Sequence, residues 1–174
     1  MALAGCLDGL VSDGPDPSDA PSGKLGNPAS ATEVDVTTRP MPAFEPEIVH
    51  VDPGATVTWT VVDGRHDVTA YHPDTYGHRR IPEGAEPWAS QLLTPGQTFT
   101  HTFEAEGVYD YVDTRTVCTT HEVVGAIGRV VVGWPDLTGE PALADPPADV
   151  PSMAARKLES FNEETRATFA TNEP

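Results

Sequence analysis

Residues 47–61 read Glu-Ile-Val-His-Val-Asp-Pro-Gly-Ala-Thr-Val-Thr-Trp-Thr-Val, and apolar and polar side chains alternate on both sides of the central Asp-Pro-Gly. Alternation with a period of two places every second side chain on one face, which is typical of a half-buried β-strand. Asp-Pro-Gly is turn chemistry, because proline presets φ and glycine adopts positive φ without strain. The stretch therefore predicts two short strands joined by a turn.

Short runs with the same alternation continue on both sides of this stretch. They cover residues 34–37, 66–71, 98–104, 107–112 and 127–132. With the two strands above, they make seven β-rich runs within about 100 residues, a number and spacing that favour an all-β fold, a Greek-key β-sandwich of two sheets. Residues 152–169 additionally permit one short C-terminal helix, with Ala154, Leu158, Phe161 and Phe169 near one face.

The chain divides into three predicted parts. Residues 1–37 form a lipobox-like start and a flexible acidic linker, because residues 9–31 are mostly Gly, Pro, Ser, Asp and Ala and cannot offset their ordering entropy. Residues 38–134 form the folded domain. Residues 135–174 form an acidic, Pro-rich linker followed by the short helix.

The composition is strongly acidic. The 174 residues include 27 Asp and Glu but 10 Lys and Arg, for a net charge of −17. This balance excludes a nucleic-acid binder, which needs cations to neutralise phosphates, and disfavours docking to anionic lipids. It fits either an ordinary acidic protein or a halophilic one, whose environment supplies salt to screen the self-repulsion. Glu104, Glu106 and Asp110 are expected to belong to a solvated acidic face.

The first cysteine lies in Leu3-Ala-Gly-Cys6, which is similar to the lipobox at which lipoproteins are cleaved and lipidated. We therefore expect a lipid on Cys6 and anchoring to the outer face of the cell membrane. The basic and apolar regions that should precede a lipobox are missing after Met1, so either the start lies further upstream or the match is chance. An idle thiol and a disulfide from Cys6 to Cys118 are the alternatives.

The second cysteine lies in Cys118-Thr-Thr-His121, just before the last predicted strand, and His66 opens an earlier strand. One thiolate and two imidazoles form the trigonal set that holds copper in electron-transfer sites. A structural zinc site, which needs four ligands, and a Cys-His nucleophile are alternatives. The scarcity of further cysteines weighs against zinc, and the absence of a clear Asn or Asp to orient the histidine weighs against the nucleophile.

From about Thr37 to Gly133 the sequence resembles the cupredoxins, in particular the halocyanins, the small blue copper proteins of halophilic archaea. The matching stretches are residues 44–49, 53–59, 66–73, 80–88, 95–99, 103–111 and the Cys118 loop. The resemblance implies a cupredoxin-like sandwich with one type 1 copper ion that cycles between Cu(I) and Cu(II). It also implies one-electron transfer to redox partner proteins outside the cell membrane. As a carrier, the protein is not an enzyme and takes no small-molecule substrate.

Carried over by position, the resemblance implies His66 and His121 as the imidazole ligands and Cys118 as the thiolate. The chain departs from the family pattern in two places. Ala126 stands where the family has its methionine, and residues 112–117 separate the Tyr-rich strand from the cysteine, which it otherwise follows almost directly. The axial position is therefore empty or filled by water, the Arg65 carbonyl, Asp113 or Glu122. The alternative function is a non-redox copper-binding or interaction module on the same scaffold.

Overall fold

The computed structural model describes residues 21–116 and 120–172, and within these ranges it contains seven strands, one α-helix and two 3-10 helices. The strands are β1 (Ala29–Thr37), β2 (Ala43–Glu45), β3 (Ile48–Val61), β4 (Thr69–Ala70), β5 (Thr98–Phe103), β6 (Gly107–Val112) and β7 (Ile127–Val132). The 3-10 helices are His121–Val124 and Pro141–Leu143, and the α-helix is α1 (Ser152–Thr171). None of the helices described is long and apolar enough to cross a membrane.

β3 connects the two halves of the sandwich. Its first part, Ile48–Val51, pairs in parallel with Arg129–Val132 of β7, and its second part pairs with β1 and antiparallel with β5. The exposed residues 52–54 lie where the strand changes partners. The prediction of two strands and a turn was therefore wrong, because the Asp-Pro-Gly is accommodated as an irregularity inside one continuous strand.

The remaining pairings complete an all-β sandwich and confirm the predicted fold class. The strand order is β2-β1-β3-β7-β6-β4, with β5 added to β3. Alternate side chains of the two halves meet in one core, whose members include Val34, Val36, Phe44, Val57, Trp59, Phe103, Tyr109, Tyr111, Val130 and Val132. The period-two alternation of the sequence thus marks the side chains that the sandwich buries.

β1 changes the predicted division of the chain. It pairs with β3 from Ala31↔Thr56 to Val36↔Val61, so the sheet begins inside the segment that the sequence predicted as an arm ending at residue 37. Val34 and Val36 point into the core and are fully buried. The lipobox-like stretch and Cys6 lie outside the described residues.

The C-terminal segment packs on the sandwich and is more extensive than the predicted linker and short helix. α1 is 20 residues long. Its buried residues Ala154, Leu158 and Phe161 form a second apolar cluster with Tyr71, Val112 and Ile127. Because this segment covers the outer face of β6 and β7, every residue of both strands is buried.

A buried ion network fixes this cover to the sheet. Asp110 in β6 accepts hydrogen bonds from Arg129 Nε at 2.7 Å and from Arg80 Nε at 2.8 Å, and all three side chains are buried. Arg129 also donates to Asn162 Oδ1 at 2.7 Å and to Thr165 Oγ1 at 3.0 Å in α1. Asp110, which the sequence analysis placed on a solvated face, is therefore the centre of an interior network.

His50 in β3 links the segment before β1 to the residue that follows β7, and it gives a pH-dependent prediction. Its Nδ1 accepts a hydrogen bond from Gly26 N–H at 3.0 Å, and its Nε2 donates to the Gly133 carbonyl at 2.6 Å. Burial lowers the pKa of His50, although the Gly133 carbonyl and Asp52 act in the opposite direction. The folded protein therefore holds this histidine neutral where the unfolded chain protonates it.

The preference of the folded protein for neutral His50 contributes stability that is fully present above about pH 6.5, the pKa of histidine in the unfolded chain. This contribution is lost as the pH falls toward the lowered pKa of His50 in the folded protein. We expect the free energy of unfolding to fall by up to about 1.4 kcal/mol per pH unit below 6.5 through His50. Urea unfolding of the wild type and His50→Gln at pH 7.5 and 5.5 measures this, with the smaller pH dependence expected in His50→Gln. Equal pH dependence in the two proteins would contradict it.

Candidate metal centre

Three buried side chains converge at one end of the sandwich. They are His66 in the loop between β3 and β4, Asp113 directly after β6, and His121 at the start of the 3-10 helix before β7. One ligand atom from each lies within 4.8 Å of the other two. Each of the three loops follows or precedes a paired strand, so the sheet fixes where these side chains meet.

The contacts within the cluster are short and symmetrical. His66 Nδ1 and His121 Nδ1 both lie 2.6 Å from Asp113 Oδ2, and the two imidazole centroids are 5.2 Å apart. The side chains of His66 and Asp113 are fully buried, and that of His121 is 9% exposed. Two imidazole nitrogens and one carboxylate oxygen thus face a single point that is almost shielded from water.

The far side of the His66 ring is held by two oxygen atoms. His66 Nε2 lies 2.9 Å from the Asp63 carbonyl oxygen and 2.9 Å from Thr38 Oγ1. In the tautomer whose hydrogen is on Nε2, this nitrogen donates to the Asp63 carbonyl, which only accepts hydrogen bonds. The other nitrogen, Nδ1, faces the cluster and is the atom that a metal would take.

Asp113 is held as a carboxylate. Its second oxygen, Oδ1, accepts hydrogen bonds from Arg115 N–H at 3.0 Å and Asp67 N–H at 3.3 Å. Burial alone would raise the pKa of Asp113, but the hydrogen bonds with His66 and His121, and that from Arg115, outweigh it and lower the pKa below its ordinary value. The site therefore retains one negative charge in its interior.

His121 is positioned by the backbone of its own loop. Its N–H donates to the Arg115 carbonyl at 2.8 Å, and its carbonyl accepts from Ala126 N–H at 3.0 Å. Val123, two residues further along the 3-10 helix, is 41% exposed, and the His121 side chain itself is 9% exposed, whereas those of His66 and Asp113 are fully buried. His121 is accordingly the member of the cluster that lies nearest the surface.

The structure separates the predicted site residues into three groups. It brings His66 and His121 together, as the sequence predicted. Cys118 lies in residues 117–119, outside the described residues, so its role stays a prediction. Ala126 is buried, and its carbonyl accepts the Asp113 N–H at 3.0 Å, while Arg65 is exposed beside His66.

Glu122, one of the axial candidates, accepts hydrogen bonds from two tyrosines outside the cluster. Its Oε1 accepts a hydrogen bond from Tyr71 at 2.7 Å, and its Oε2 accepts one from Tyr76 at 2.6 Å. Burial and the neighbouring Glu122 carboxylate raise the pKa of both phenols. Glu122 therefore serves as a buried acceptor that joins the 3-10 helix to the loop after β4, and it does not join the cluster of His66, Asp113 and His121.

A β-sandwich that holds two imidazoles and a carboxylate at one buried end is a metal-binding sandwich. Residues 30–133 match the model of the copper binding proteins of the plastocyanin/azurin family, and the chain belongs to this family. The predicted cofactor, one copper ion, is confirmed by this membership. The two imidazoles fit such an ion, because imidazole suits copper and both rings turn Nδ1 toward the same point.

The comparisons with individual proteins agree with the family. The chain is 37% identical over 93 residues to halocyanin from Natronomonas pharaonis, a match that covers 52% of this chain and 48% of that protein. It is 29% identical over 93 residues to chloroplastic plastocyanin from Tetradesmus obliquus, covering 51% of this chain and 57% of that one. The chain therefore spans about half the length of the curated relatives it matches.

Solved structures confirm the fold. Pseudoazurin from Methylobacterium extorquens AM1 superposes with a TM-score of 0.60 at 21% identity, covering 77% of this chain and 98% of that one. Pseudoazurin from Hyphomicrobium denitrificans gives a TM-score of 0.61 at 19% identity, covering 77% and 97%. These neighbours show that the sandwich has cupredoxin architecture.

Proposed function

We propose that the protein is a mononuclear copper electron carrier with His66, His121 and Cys118 as its ligands. The observation that carries the proposal is the meeting of two imidazole Nδ1 atoms at one buried point of a copper-binding fold, 2.6 Å from a shared carboxylate oxygen. Cys118, three residues before His121, would supply the thiolate. Thiolate and imidazole together suit copper in both of its oxidation states.

The surroundings of the ligands suit electron transfer. When bound, copper supplies a one-electron change between Cu(I) and Cu(II). Asp63 and Thr38 hold the His66 ring from behind, and the loop backbone holds His121. Because these partners hold the imidazoles, the two rings would move little when a bound copper ion changes oxidation state, which would keep the reorganisation small.

His121, the least buried of the three cluster residues, is the proposed exit for the electron. Val123 and Met153 are 41% and 38% exposed, and Met153 packs beside Gly125 at the end of the same 3-10 helix. These side chains form an apolar rim near the ligand that lies closest to the solvent. A redox partner protein would dock here, outside the cell membrane, with a lipid on Cys6 as the proposed anchor.

The axial position is proposed to be atypical. Ala126 has no donor atom in its side chain, so a thioether is absent from the position where the family has methionine. Both carboxylate oxygens of Glu122 are engaged by phenols. An axial interaction must therefore come from a group other than Ala126 and Glu122, or be missing. The axial ligand tunes the redox potential in blue-copper sites.

A visible spectrum of the purified protein with one equivalent of Cu(II) tests the ligand set. We expect an intense thiolate-to-copper band that is lost in Cys118→Ser and retained in Cys6→Ser, the matched control for removing a thiol. A wild-type spectrum with only weak ligand-field absorption would contradict a thiolate ligand.

A non-redox copper-binding module is the second candidate, and the buried carboxylate of Asp113 favours it because a hard oxygen ligand stabilises Cu(II). A redox titration followed at the thiolate band separates the two functions. Reversible one-electron cycling supports the carrier. Copper that stays bound but does not cycle supports the module.

A further inference from the structure

We infer that Asp113 is itself a metal ligand, and that His66, Asp113 and His121 form a set able to hold Cu(II) without the thiolate of Cys118. The inference deepens the proposed function and rests on the same copper site. It changes the nature of that site, because the ligand held by the sheet is a carboxylate and the proposed thiolate comes from Cys118, five residues further along the sequence. The inference rests on the close approach of His66 Nδ1 and His121 Nδ1 to Asp113 Oδ2.

The position of Asp113 in the sheet supports the inference first. The β6–β7 ladder ends at Val112↔Ile127, and the next contact is the hydrogen bond from Asp113 N–H to the Ala126 carbonyl at 3.0 Å. The Asp113 backbone is therefore still tied to the neighbouring strand. Cys118 follows five residues later, beyond this contact. The ladder thus aims the carboxylate directly at the two imidazoles.

The electrostatics of the cluster supply the second argument. His66 Nδ1 and His121 Nδ1 both lie 2.6 Å from Asp113 Oδ2. Nitrogen and oxygen stay this close only with a positive centre between them, either a proton on each ring or a metal ion. Nε2 of His66 has its own acceptor in the Asp63 carbonyl, 2.9 Å away, so the ring can keep its hydrogen there when Nδ1 binds a metal. One metal cation would then take the place of the protons and satisfy all three atoms together.

The outer contacts of Asp113 give the third argument, because they orient the carboxylate before any ion binds. Oδ1 is held by the N–H groups of Arg115 and Asp67, which leaves Oδ2 to face the imidazoles. Asp67 in turn accepts hydrogen bonds from Thr114 N–H at 3.0 Å and Thr114 Oγ1 at 2.8 Å. Such outer partners are typical of metal-binding carboxylates and raise metal affinity.

The chemical consequence concerns both redox preference and metal choice. A carboxylate is a hard, charged ligand that favours Cu(II) over Cu(I), so Asp113 should lower the reduction potential compared with a site that lacks it. Two imidazoles and one carboxylate also suit other divalent first-row ions. The site would accordingly bind Cu(II) in a variant in which the thiolate is absent.

The test uses the full chain with Cys118→Ser, titrated with Cu(II) alone and followed by calorimetry and electron paramagnetic resonance. We expect one Cu(II) per chain, weak visible absorption, and an affinity that falls about 100-fold when Asp113→Asn is added. The hyperfine splitting of the bound Cu(II) should also change. Asp149→Asn in the same background is the matched control, because Asp149 pairs with His78 on the surface, 2.8 Å away.

A second variant keeps the test decisive if Asp113→Asn perturbs folding. Asp113→Cys combined with Cys118→Ser places a sulfur on the side chain that faces both imidazoles, and we expect the intense thiolate-to-copper band to appear. The inference is overturned if Cys118→Ser binds no Cu(II). It is also overturned if Asp113→Asn leaves the affinity within about 3-fold of its parent and Asp113→Cys gives no band. A missing band in the wild type contradicts the Cys118 ligand and leaves this test unaffected.

Discussion

Replacing Asp110 by asparagine is expected to lower the free energy of unfolding by about 3–5 kcal/mol. Asp110 is the carboxylate between two buried guanidinium groups: it accepts from Arg129 at 2.7 and 3.0 Å and from Arg80 at 2.8 Å. The amide of asparagine keeps the shape but not the charge. Both arginines would then be left in the interior with their charges uncompensated, and the C-terminal segment that they bind would lose its anchor.

Urea unfolding at pH 7, followed by tryptophan fluorescence, measures the loss. Asp35→Asn is the matched control, because Asp35 is an exposed aspartate in β1 and should change the stability by less than about 0.5 kcal/mol. A loss below about 1 kcal/mol for Asp110→Asn would mean that the arginines find other partners. The Ala142 carbonyl, which both arginines already contact, would then be the first group to consider.

Asp110 also shows where alternation in the sequence stops being informative. The alternation of residues 107–112 correctly predicted strand β6, but the sequence analysis assigned the face that carries Asp110 to solvent. That face is covered by residues that lie 30 to 60 positions further along the chain, among them Ala142, Asn162 and Thr165. A local period of two cannot reveal such a cover, because it reports the contrast between two faces and not what lies against them.

The irregularity at residues 52–54 inside β3 is a second place where a local sequence pattern led to a wrong prediction. Asp52-Pro53-Gly54 has the composition of a turn, and in most contexts it would separate two strands. Here both flanks are held in the same direction by different neighbours, β7 on one side and β5 with β1 on the other. Strand pairing therefore outweighs the local preference of Asp-Pro-Gly for a turn. This outcome can be read from the structure but not from the local sequence.

The candidate metal site was predictable in part. The meeting of His66 and His121 could be predicted because imidazoles near strand ends, matched to a family pattern, are a strong signal. Asp113 was one of several axial candidates, and nothing in its type distinguished it from Glu122. What separates them is where β6 ends and which way the next side chain points: Asp113 faces the imidazoles, whereas Glu122 faces Tyr71 and Tyr76. The place of Cys118 remains a prediction.

Substituting Gly64 by alanine is expected to weaken copper binding by about 10- to 100-fold, the range typical of losing a partner behind a metal-binding histidine. Gly64 has φ of 78°, and a Cβ on it would overlap Thr38 Oγ1 and lie 3.0 Å from His66 Nε2. The methyl group would push Thr38 away or tilt the imidazole. Either movement changes the direction in which His66 Nδ1 faces the cluster, although no ligand is itself replaced.

Gly84→Ala separates this effect from backbone strain. Gly84 has nearly the same φ, 79°, but a Cβ there would meet nothing within 4 Å. Both variants should lose about 1–2 kcal/mol of stability from the left-handed conformation, and Gly64→Ala should lose more because of the overlap with Thr38. The loss of Cu(II) affinity and a shift of the copper spectrum are expected in Gly64→Ala alone. Calorimetric titration with Cu(II) and urea unfolding of both proteins measure the two quantities. Equal Cu(II) affinities in the two variants would show that the contacts of Thr38 and Asp63 behind His66 do not control how the imidazole faces the metal.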